Sequence, residues 1–235
     1  MKQMIRIATF IVFVYGIFLH IDAAALGASK SSYKDVSSSF WAAASIFKLT
    51  EKGYISGYED GTFKPNQNAT RAEAASLLAR SLEVPLESDF LLKAKDVKPS
   101  HPHYQEVRKL AELRVVDNSE LFRPEEPLTR AQIAKMLALT YGVKVDSVNK
   151  TSFQDYPKDF WAKDYIESLA DIGIIKGTSP TTFSPNTFVT RAQLATFVDR
   201  GIDFQNKVKT YQLAYDYLSK HYISTVNTAV SWTNE

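Results

Sequence analysis

The sequence predicts an all-α protein made of three helix-loop-helix repeats, and three observations lead to this fold class. The tripeptide Thr-Arg-Ala occurs at residues 70–72, 129–131 and 190–192, and Glu or Gln follows it each time. The segments around these tripeptides align with one another, the first and third without a gap. Apolar residues recur at helical spacing on both sides of a loop rich in Gly, Pro and Thr. Because two short helices bury too little surface alone, we expect one domain of approximate threefold symmetry with the second helices at its centre.

Each Thr-Arg-Ala tripeptide marks the start of a helix. Thr70 and Glu73 fit a capping box, in which each side chain satisfies a free backbone N–H group of the first turn. Arg71 then takes the first helical position, where the partial positive charge of the helix end disfavours a cation by roughly a few tenths of a kcal/mol. Since Arg130 and Arg191 repeat this placement, helix stability does not explain it.

The three copies differ in how closely they match. The first and third share residues throughout their length: Asp35/Asp155, Phe40/Phe160, Trp41/Trp161, Gly53/Gly173, Gly57/Gly177, Phe63/Phe183 and Pro65/Pro185. The second copy keeps Asp96, Phe122 and Pro124, but it has His-Pro-His-Tyr in place of the Phe-Trp pair. Its loop before Phe122 is two residues shorter and contains no glycine. We therefore expect a second unit that is similar in structure and divergent in chemistry.

The third copy illustrates the expected elements. An apolar face of its first helix is formed by Trp161, Tyr165, Leu169 and Ile172. Gly173 is expected to end this helix, and residues 173–190 are predicted to form a loop with turns. The second helix opens at the Thr-Arg-Ala-Gln segment, and its apolar stripe contains Leu194, Phe197 and Val198.

A different pattern follows Gly201. Apolar residues now alternate at steps of four and three, which is typical of a heptad stripe: Phe204, Val208, Tyr211, Tyr215, Leu218 and Tyr222. We assign residues 202–235 to a C-terminal helix and tail, and we expect the helix to fold back onto the domain. The alternative is that residues 204–222 bind a protein partner or self-associate.

The N-terminal segment is predicted to be a secretory signal peptide, residues 1–25. A short basic start is followed by an apolar run and then by small residues, with Ala23 and Ala25 at a small-x-small cleavage site. Cleavage after Ala28 and an uncleaved membrane anchor are the alternatives. The apolar stretch is shorter than the roughly 20 residues that a membrane-spanning helix needs, and no later segment is apolar enough to span one. We therefore expect a secreted protein without a membrane segment after cleavage.

Composition and motif content narrow the function. The net charge of +2 and the scattered Lys and Arg residues give no indication of nucleic-acid binding, and the absence of Cys excludes disulfides and thiolate chemistry. His101 and His103 lie in one loop, His20 lies in the signal peptide and His221 in the tail, so no Ser-His-Asp arrangement recurs. We expect no enzyme, no metal site and no cofactor. A wall-degrading enzyme with a spatially paired set of carboxylates is the distant alternative.

The repeated motifs resemble those of the S-layer homology domain family. The resemblance rests on Asp followed by Phe-Trp-Ala, on Gly-Ile-Ile-Lys-Gly, on "GTFKP" and on Thr-Arg-Ala-Glu, and it covers residues 31–201, with repeats at about 31–84, 92–143 and 151–201. It implies a pseudo-threefold prism around a central three-helix bundle, with ligand grooves between neighbouring repeats. It also implies non-covalent anchoring in the cell wall or S-layer of a Gram-positive bacterium, through pyruvylated secondary cell wall polysaccharide. The alternative is a small surface adaptor whose aromatic C-terminal helix recruits a partner.

The resemblance to this family implies that the three arginines are candidate ligand-binding residues. A pyruvate ketal carries a carboxylate, and Arg71, Arg130 and Arg191 at helix N-termini can pair with it through two hydrogen bonds. The competing interpretation is internal pairing with the three aspartates that recur in step with them: Asp35, Asp96 and Asp155. Both interpretations hold together if an arginine bridges an aspartate and the sugar acid.

Aromatic residues and glycines complete the candidate site. Trp41 and Trp161 suit stacking on a pyranose, but we expect them to fill the core because they begin the apolar stripe of each first helix. Gly57 and Gly177 lie in loops where a backbone can approach a ligand closely, or where they simply permit a turn. Because the second repeat lacks both features, one groove is expected to be weak or inactive.

Overall fold

The computed structural model describes residues 33–218, with side chains to residue 213, and contains six helices in this part of the chain. The helices are α1 (Ala43–Glu51), α2 (Arg71–Ser81), α3 (Tyr104–Glu112), α4 (Arg130–Tyr141), α5 (Lys163–Asp171) and α6 (Arg191–Leu218). Residues 33–218 contain no strand, only three isolated β-bridges. The prediction of an all-α fold with two helices per repeat is confirmed. The predicted signal peptide and Tyr222 lie outside the described residues.

The first helix of each repeat is short and buries one face. In the third repeat the buried apolar residues are Ala162, Ile166 and Leu169. The predicted stripe is confirmed at Leu169 and wrong at Trp161 and Ile172, which are exposed. Gly173 has φ +77 directly after the C-cap Ile172, so the predicted end of this helix is confirmed.

The second helices begin where the sequence predicts. Thr70 and Glu73 form a complete capping box, and the Thr129–Gln132 pair forms another. The third start has the same reciprocal bonds, with Thr190 N–H donating to Gln193 at 3.2 Å and Gln193 N–H donating to Thr190 Oγ1 at 3.3 Å. Almost every side chain beyond the first turn of α2 is buried, because this helix packs against neighbours on several sides.

Contacts between helices form a closed cycle. The second helices α2, α4 and α6 contact one another at the centre, as predicted. Each first helix packs against the second helix of another repeat, so α3 lies on α2, α5 on α4, and α1 on α6. Each repeat therefore completes the core of its neighbour, and the last repeat is joined to the first.

A triangle of backbone hydrogen bonds lies at the entrance to the three central helices. Ala69 donates its N–H to the carbonyl of Val189 at 2.9 Å, Val189 donates to Leu128 at 2.9 Å, and Leu128 donates to Ala69 at 3.0 Å. All three residues are fully buried. Since a buried peptide group without a partner is costly, this triangle fixes the starts of the three helices relative to one another.

The last helix does not fold back. It runs without interruption through Gly201 to Leu218. Glycine is needed at residue 201 because the ring of Tyr141 fills the space in which a Cβ would lie. Phe204 still packs against the core, whereas Val208 and Tyr211 are exposed, Tyr211 by 74%. For residues 202–218, the expectation that a C-terminal helix folds back onto the domain was wrong. No helix in the described part of the chain has the length and apolarity to span a membrane.

Candidate ligand grooves

The three helix-start arginines bind the backbone of the next repeat around the cycle. Each directs Nε to the carbonyl oxygen of a phenylalanine and lays its guanidinium over that phenylalanine's ring. The pairs are Arg71–Phe122 at 2.7 Å, Arg130–Phe183 at 2.8 Å and Arg191–Phe63 at 2.8 Å. The unfavourable placement at the helix N-terminus therefore has a structural reason at all three junctions.

The three aspartates hold the same peptide segments from within their own repeats. The carboxylate of Asp35 accepts the N–H groups of Phe63 and Lys64, each at 2.8 Å. Asp96 and Asp155 form the equivalent pairs of bonds at 2.6–2.9 Å. The residue after each phenylalanine has a positive φ of 55–60°, a conformation that these two hydrogen bonds help to maintain.

Aspartate and arginine are thus linked through one peptide segment rather than through an ion pair. Asp35 receives the N–H of Phe63, and Arg191 donates to the carbonyl of the same residue. No ion pair joins the recurring aspartates to the recurring arginines in the described part of the chain. The interpretation of direct internal pairing was therefore wrong in its geometry, although both residue sets stabilise the junctions.

The remaining nitrogens of the three guanidinium groups have different partners. Arg191 donates Nη2 to the Ser56 carbonyl at 2.9 Å and forms an ion pair with Glu73 at 2.5 Å. Arg130 donates Nη2 to the Lys176 carbonyl at 2.7 Å. Within residues 33–218, the Arg71 guanidinium forms only its Nε hydrogen bond and contacts no carboxylate at ion-pair distance. Arg71 is also only partly buried, whereas Arg130 and Arg191 are buried, so Arg71 is the one of the three whose free donors a ligand can reach.

We call the groove at Arg71 the second groove, because the loop and second helix of the second repeat form most of it. It has a volume of about 250 Å³ and takes Arg71 from the first repeat and Trp161 from the third. The other lining residues are Val115, Val116, Asp117, Ser119, Gln132, Lys135 and Met136. Residues of all three repeats line this groove, and the family resemblance predicts ligand grooves between neighbouring repeats.

Electrostatics in the second groove favour an anion. Burial lowers the pKa of the Arg71 guanidinium, with the acidic Glu126 acting in the opposite direction. The lowered pKa means that the charged form has lost part of its hydration without an equal gain from neighbours. Lys135 adds a second cation on the groove wall, and the exposed Asp117 is the one acidic side chain among the lining residues. A carboxylate bound at Arg71 would supply the missing interaction.

The corresponding first groove is formed by the loop and second helix of the first repeat. It has a volume of about 140 Å³ and receives Arg191 from the third repeat and His103 from the second. Its two arginines are already paired, Arg191 with Glu73 at 2.5 Å and Arg80 with Glu106 at 2.7 Å. The two grooves are therefore equivalent in position, but the arginines of the first are neutralised by carboxylates, whereas Arg71 of the second is not.

Both predicted tryptophans are surface residues. Trp41 is 61% exposed and Trp161 is 54% exposed, and each ring leans on the preceding phenylalanine at a centroid distance of 5.6–5.7 Å. The expectation that they fill the core was wrong, because the buried position of each first helix is the next residue, Ala42 or Ala162. Trp161 lies in the second groove.

The two loop glycines have an internal explanation. A Cβ at Gly57 would overlap the Tyr33 ring and the Thr62 carbonyl oxygen. A Cβ at Gly177 would overlap the Phe153 ring and the Ser179 and Thr182 carbonyls. Their lack of a side chain is therefore required for the loop to close on its own repeat, whether or not a ligand approaches.

Sequence reasoning missed Lys135 and the second role of Glu73. Lys135 stands where the other repeats have Ser76 and Thr196, so the alignment carried a signal that a cation is added here. Nothing in the sequence indicated that the Glu73 carboxylate, besides capping α2, reaches Arg191.

The histidines of the second repeat do not form a metal site. His101 approaches Glu125 at 3.4 Å, and no group of three or more His, Asp or Glu residues in the described part of the chain could hold a metal ion. His103 occupies the place of the buried Ala42 and Ala162. Burial lowers its pKa, which favours the neutral imidazole.

Comparison with known proteins agrees with this architecture. The S-layer homology domain pattern matches residues 32–75, 95–134 and 152–195, and the chain belongs to that family. It is 34% identical over 178 residues to the S-layer protein EA1 of Bacillus anthracis, with 74% of this chain and 20% of that protein aligned. It is 31% identical over 184 residues to an S-layer protein of Bacillus thuringiensis subsp. finitimus, with 74% of this chain and 21% of that protein aligned.

A relative with a different role shares the same region. A cellulosome-anchoring protein of Acetivibrio thermocellus is 31% identical over 159 residues, with 64% of this chain and 35% of that protein aligned. This chain thus spans about a fifth to a third of the curated relatives described here. What these proteins share with it is the repeat domain.

Proposed function

We propose that this chain anchors a surface protein to the cell wall of a Gram-positive bacterium by binding an acidic wall polysaccharide between its repeats. Family membership and relatives named as S-layer and cellulosome-anchoring proteins support the anchoring role. The polysaccharide class that we propose is secondary cell wall polysaccharide carrying a pyruvate ketal. Together with the predicted signal peptide, this gives a secreted protein held at the cell surface.

The observation that carries the proposal is the unpaired end of the Arg71 guanidinium. Two terminal nitrogens in one plane match the two oxygens of a carboxylate, and such a charge-assisted pair is about twice as strong as a neutral hydrogen bond. Nε remains bonded to the Phe122 carbonyl, so the group is already oriented before a ligand arrives. This orientation reduces the entropy lost on binding.

Lys135 and Trp161 extend the same groove to a charged sugar. Lys135 offers a second cation to the ketal carboxylate or to a neighbouring anionic group of the polymer. The half-exposed face of Trp161 suits the apolar face of a pyranose, and its position across the groove would place the sugar between ring and guanidinium. Weak binding at one groove is sufficient for firm attachment when a polymer engages several copies of the protein.

The test is sedimentation of the protein with three wall samples: intact wall, wall stripped of secondary polysaccharide by acid, and wall from a strain that lacks pyruvylation. Binding to intact pyruvylated wall alone, lost in Arg71→Gln, is the expected result. Lys144→Gln is the matched control, because it removes one exposed positive charge outside both grooves. Equal binding to stripped wall would contradict the polysaccharide assignment, and no binding to any wall would contradict anchoring.

A second candidate function is supported by the exposed stripe on the extension of α6. Val208 and Tyr211 leave apolar surface uncovered on a helix that projects beyond the repeats. An adaptor role through residues 204–222 would use this stripe to recruit a protein while the repeats hold the wall. Deletion of residues 206–235 would then preserve wall binding and lose the recruited protein. Loss of wall binding in the same deletion would contradict this division of roles.

A further inference from the structure

The first groove already contains a carboxylate at its arginine. Glu73 Oε1 lies 2.5 Å from Arg191 Nη1 and accepts the Tyr58 hydroxyl at 3.3 Å. Its other oxygen accepts the Thr70 N–H at 2.9 Å as part of the capping box. Only 5% of the Arg191 side chain and 21% of the Glu73 side chain are exposed. One carboxylate thus caps a helix and neutralises the arginine of another repeat.

The other two repeats carry an amide at this position. Gln132 and Gln193 form the same capping bonds to Thr129 and Thr190, so the capping box does not require the charge. An amide cannot form an ion pair with an arginine, and neither Arg71 nor Arg130 has one in the described part of the chain. Glu in one repeat and Gln in the others therefore accounts for the ion pair at Arg191 and its absence at Arg71.

We propose that Glu73 is an internal substitute for the ligand carboxylate, which closes the first groove to acidic saccharides and leaves it as a latent site. This inference rests on the proposed function and adds to it a residue that determines which groove binds. An incoming carboxylate would meet a second carboxylate at the same guanidinium. It would also have to separate a largely buried ion pair, which is costly because each group is left without its partner.

Charge balance around the first groove supports the same conclusion. Its second arginine, Arg80, donates both Nε and Nη2 to the buried carboxylate of Glu106 at 2.9 and 2.7 Å. The two cations of this groove are thus matched by two anions. The second groove has two cations, Arg71 and Lys135, against the exposed Asp117, so it retains an excess of positive charge.

Two reciprocal substitutions test the inference, because each places one repeat's natural residue in another. Glu73→Gln keeps the capping box and removes the charge, so it is expected to open the first groove. Gln132→Glu keeps the capping box and places a carboxylate beside Arg71, so it is expected to close the second groove. Glu and Gln both occur at this third position of the second helix in the chain's own repeats, so we expect both variants to fold normally. Thermal unfolding measured by circular dichroism checks that they do.

The measurement is isothermal titration calorimetry of the full mature chain with a synthetic hexoside that carries a 4,6-linked pyruvate ketal, and with its methyl ester as the uncharged control. We expect Arg71-dependent binding by the unchanged protein, an additional binding site in Glu73→Gln, and at least a tenfold loss of affinity in Gln132→Glu. The double variant Arg71→Gln/Glu73→Gln is expected to regain binding that Arg71→Gln lacks. The opened site should be the weaker one, since Pro102 stands there in place of Trp161.

The outcomes separate this inference from the function on which it rests. If the unchanged protein does not bind the charged hexoside, both the proposed function and the inference fail. If it binds through Arg71 while Glu73→Gln gains no site and the double variant stays inactive, the inference alone is overturned. Undiminished binding by Gln132→Glu would also overturn it, because a carboxylate beside the arginine would then not exclude the ligand.

Discussion

Arg191 donates Nε to the carbonyl oxygen of Phe63 at 2.8 Å, across 128 positions of sequence. This bond is the third of three equivalent contacts, and it joins the last repeat to the first. The junction between the first and last repeats therefore uses an arginine and a phenylalanine at the same repeat positions as the junctions between consecutive repeats. Donors of each arginine that bind carbonyls or carboxylates of the protein stabilise the junction. Donors that remain unbonded are available to a ligand.

Loss of Arg191 is expected to destabilise the fold far more than loss of Arg71. Arg191→Ala removes two bonds to carbonyls and leaves Glu73 without its buried partner, at a cost of about 3 kcal/mol or more. Arg71→Ala loses one bond to a carbonyl, worth about 1 kcal/mol. Urea unfolding followed by circular dichroism measures both, and equal losses would contradict the assigned difference.

Arg114→Gly is expected to stabilise the protein. Arg114 has φ +60 at the position where the other repeats have Gly53 at +71 and Gly173 at +77. A left-handed conformation costs a non-glycine residue about 1–2 kcal/mol, of which the extra freedom of glycine in the unfolded chain offsets part. We expect a net gain of up to about 1 kcal/mol and a rise of about 2–4 °C in Tm. Gly173→Ala, the reverse change at the equivalent position, should lower Tm.

Trp161→Ala is expected to weaken wall binding without changing the free energy of unfolding by more than about 0.5 kcal/mol. The side chain is half exposed and lies in the second groove, so its removal affects the ligand more than the core. Trp41→Ala is the matched control of similar exposure. Trp41 and Arg130 are the residues equivalent to Trp161 and Arg71. Because Arg130 is buried and bonded to two carbonyls, we expect a smaller effect of the Trp41 substitution. Equal losses in both variants would indicate that a groove at Trp41 binds as well.

Asp96 is expected to make stability depend on acid pH. Burial acts to raise the pKa of Asp96, but the N–H groups of Phe122 and Arg123 outweigh it, and the pKa falls below its ordinary value of 3.8. Because the folded-state pKa is the lower one, the contribution is fully present above the unfolded value and is lost as the pH falls through the folded value. Asp96→Asn should therefore be less stable than the unchanged protein at pH 7, and the difference should narrow below about pH 3.8. The exposed Asp89→Asn is the control, and a pH-independent difference would contradict the assignment.

The sequence predicted those features of the fold that depend on local bonding. The capping boxes at Thr70, Thr129 and Thr190 depend on residues three positions apart, so each second helix was predicted to its first residue. Gly173 at the end of a first helix was equally local. The expected central contact of the second helices followed from the number of repeats, because each pair of helices alone buries too little surface.

The failures concern choices that only the neighbouring repeat decides. Trp161 and Ala162 are adjacent, and the packing of α5 on α4 determines which of them is buried. Gly201 reads as a helix end, yet the ring of Tyr141 makes glycine necessary inside a continuous helix. The targets of the arginines are backbone carbonyls of another repeat, which carry no sequence signal. The candidate site residues could therefore be named from the sequence. Which of the arginine donors bind the protein and which remain free for a ligand could not be predicted.

The closed cycle of contacts also constrains when the protein can fold. The first repeat receives its last hydrogen bonds from Arg191, so a growing chain that has only just completed residue 63 still lacks 128 residues of the polypeptide that finishes this junction. At a synthesis rate of about 5–20 residues per second, that delay is on the order of ten seconds. Until then α1 has no α6 to cover its apolar face. We therefore expect the three repeats to fold together in a single late event rather than as a sequence of independent repeats.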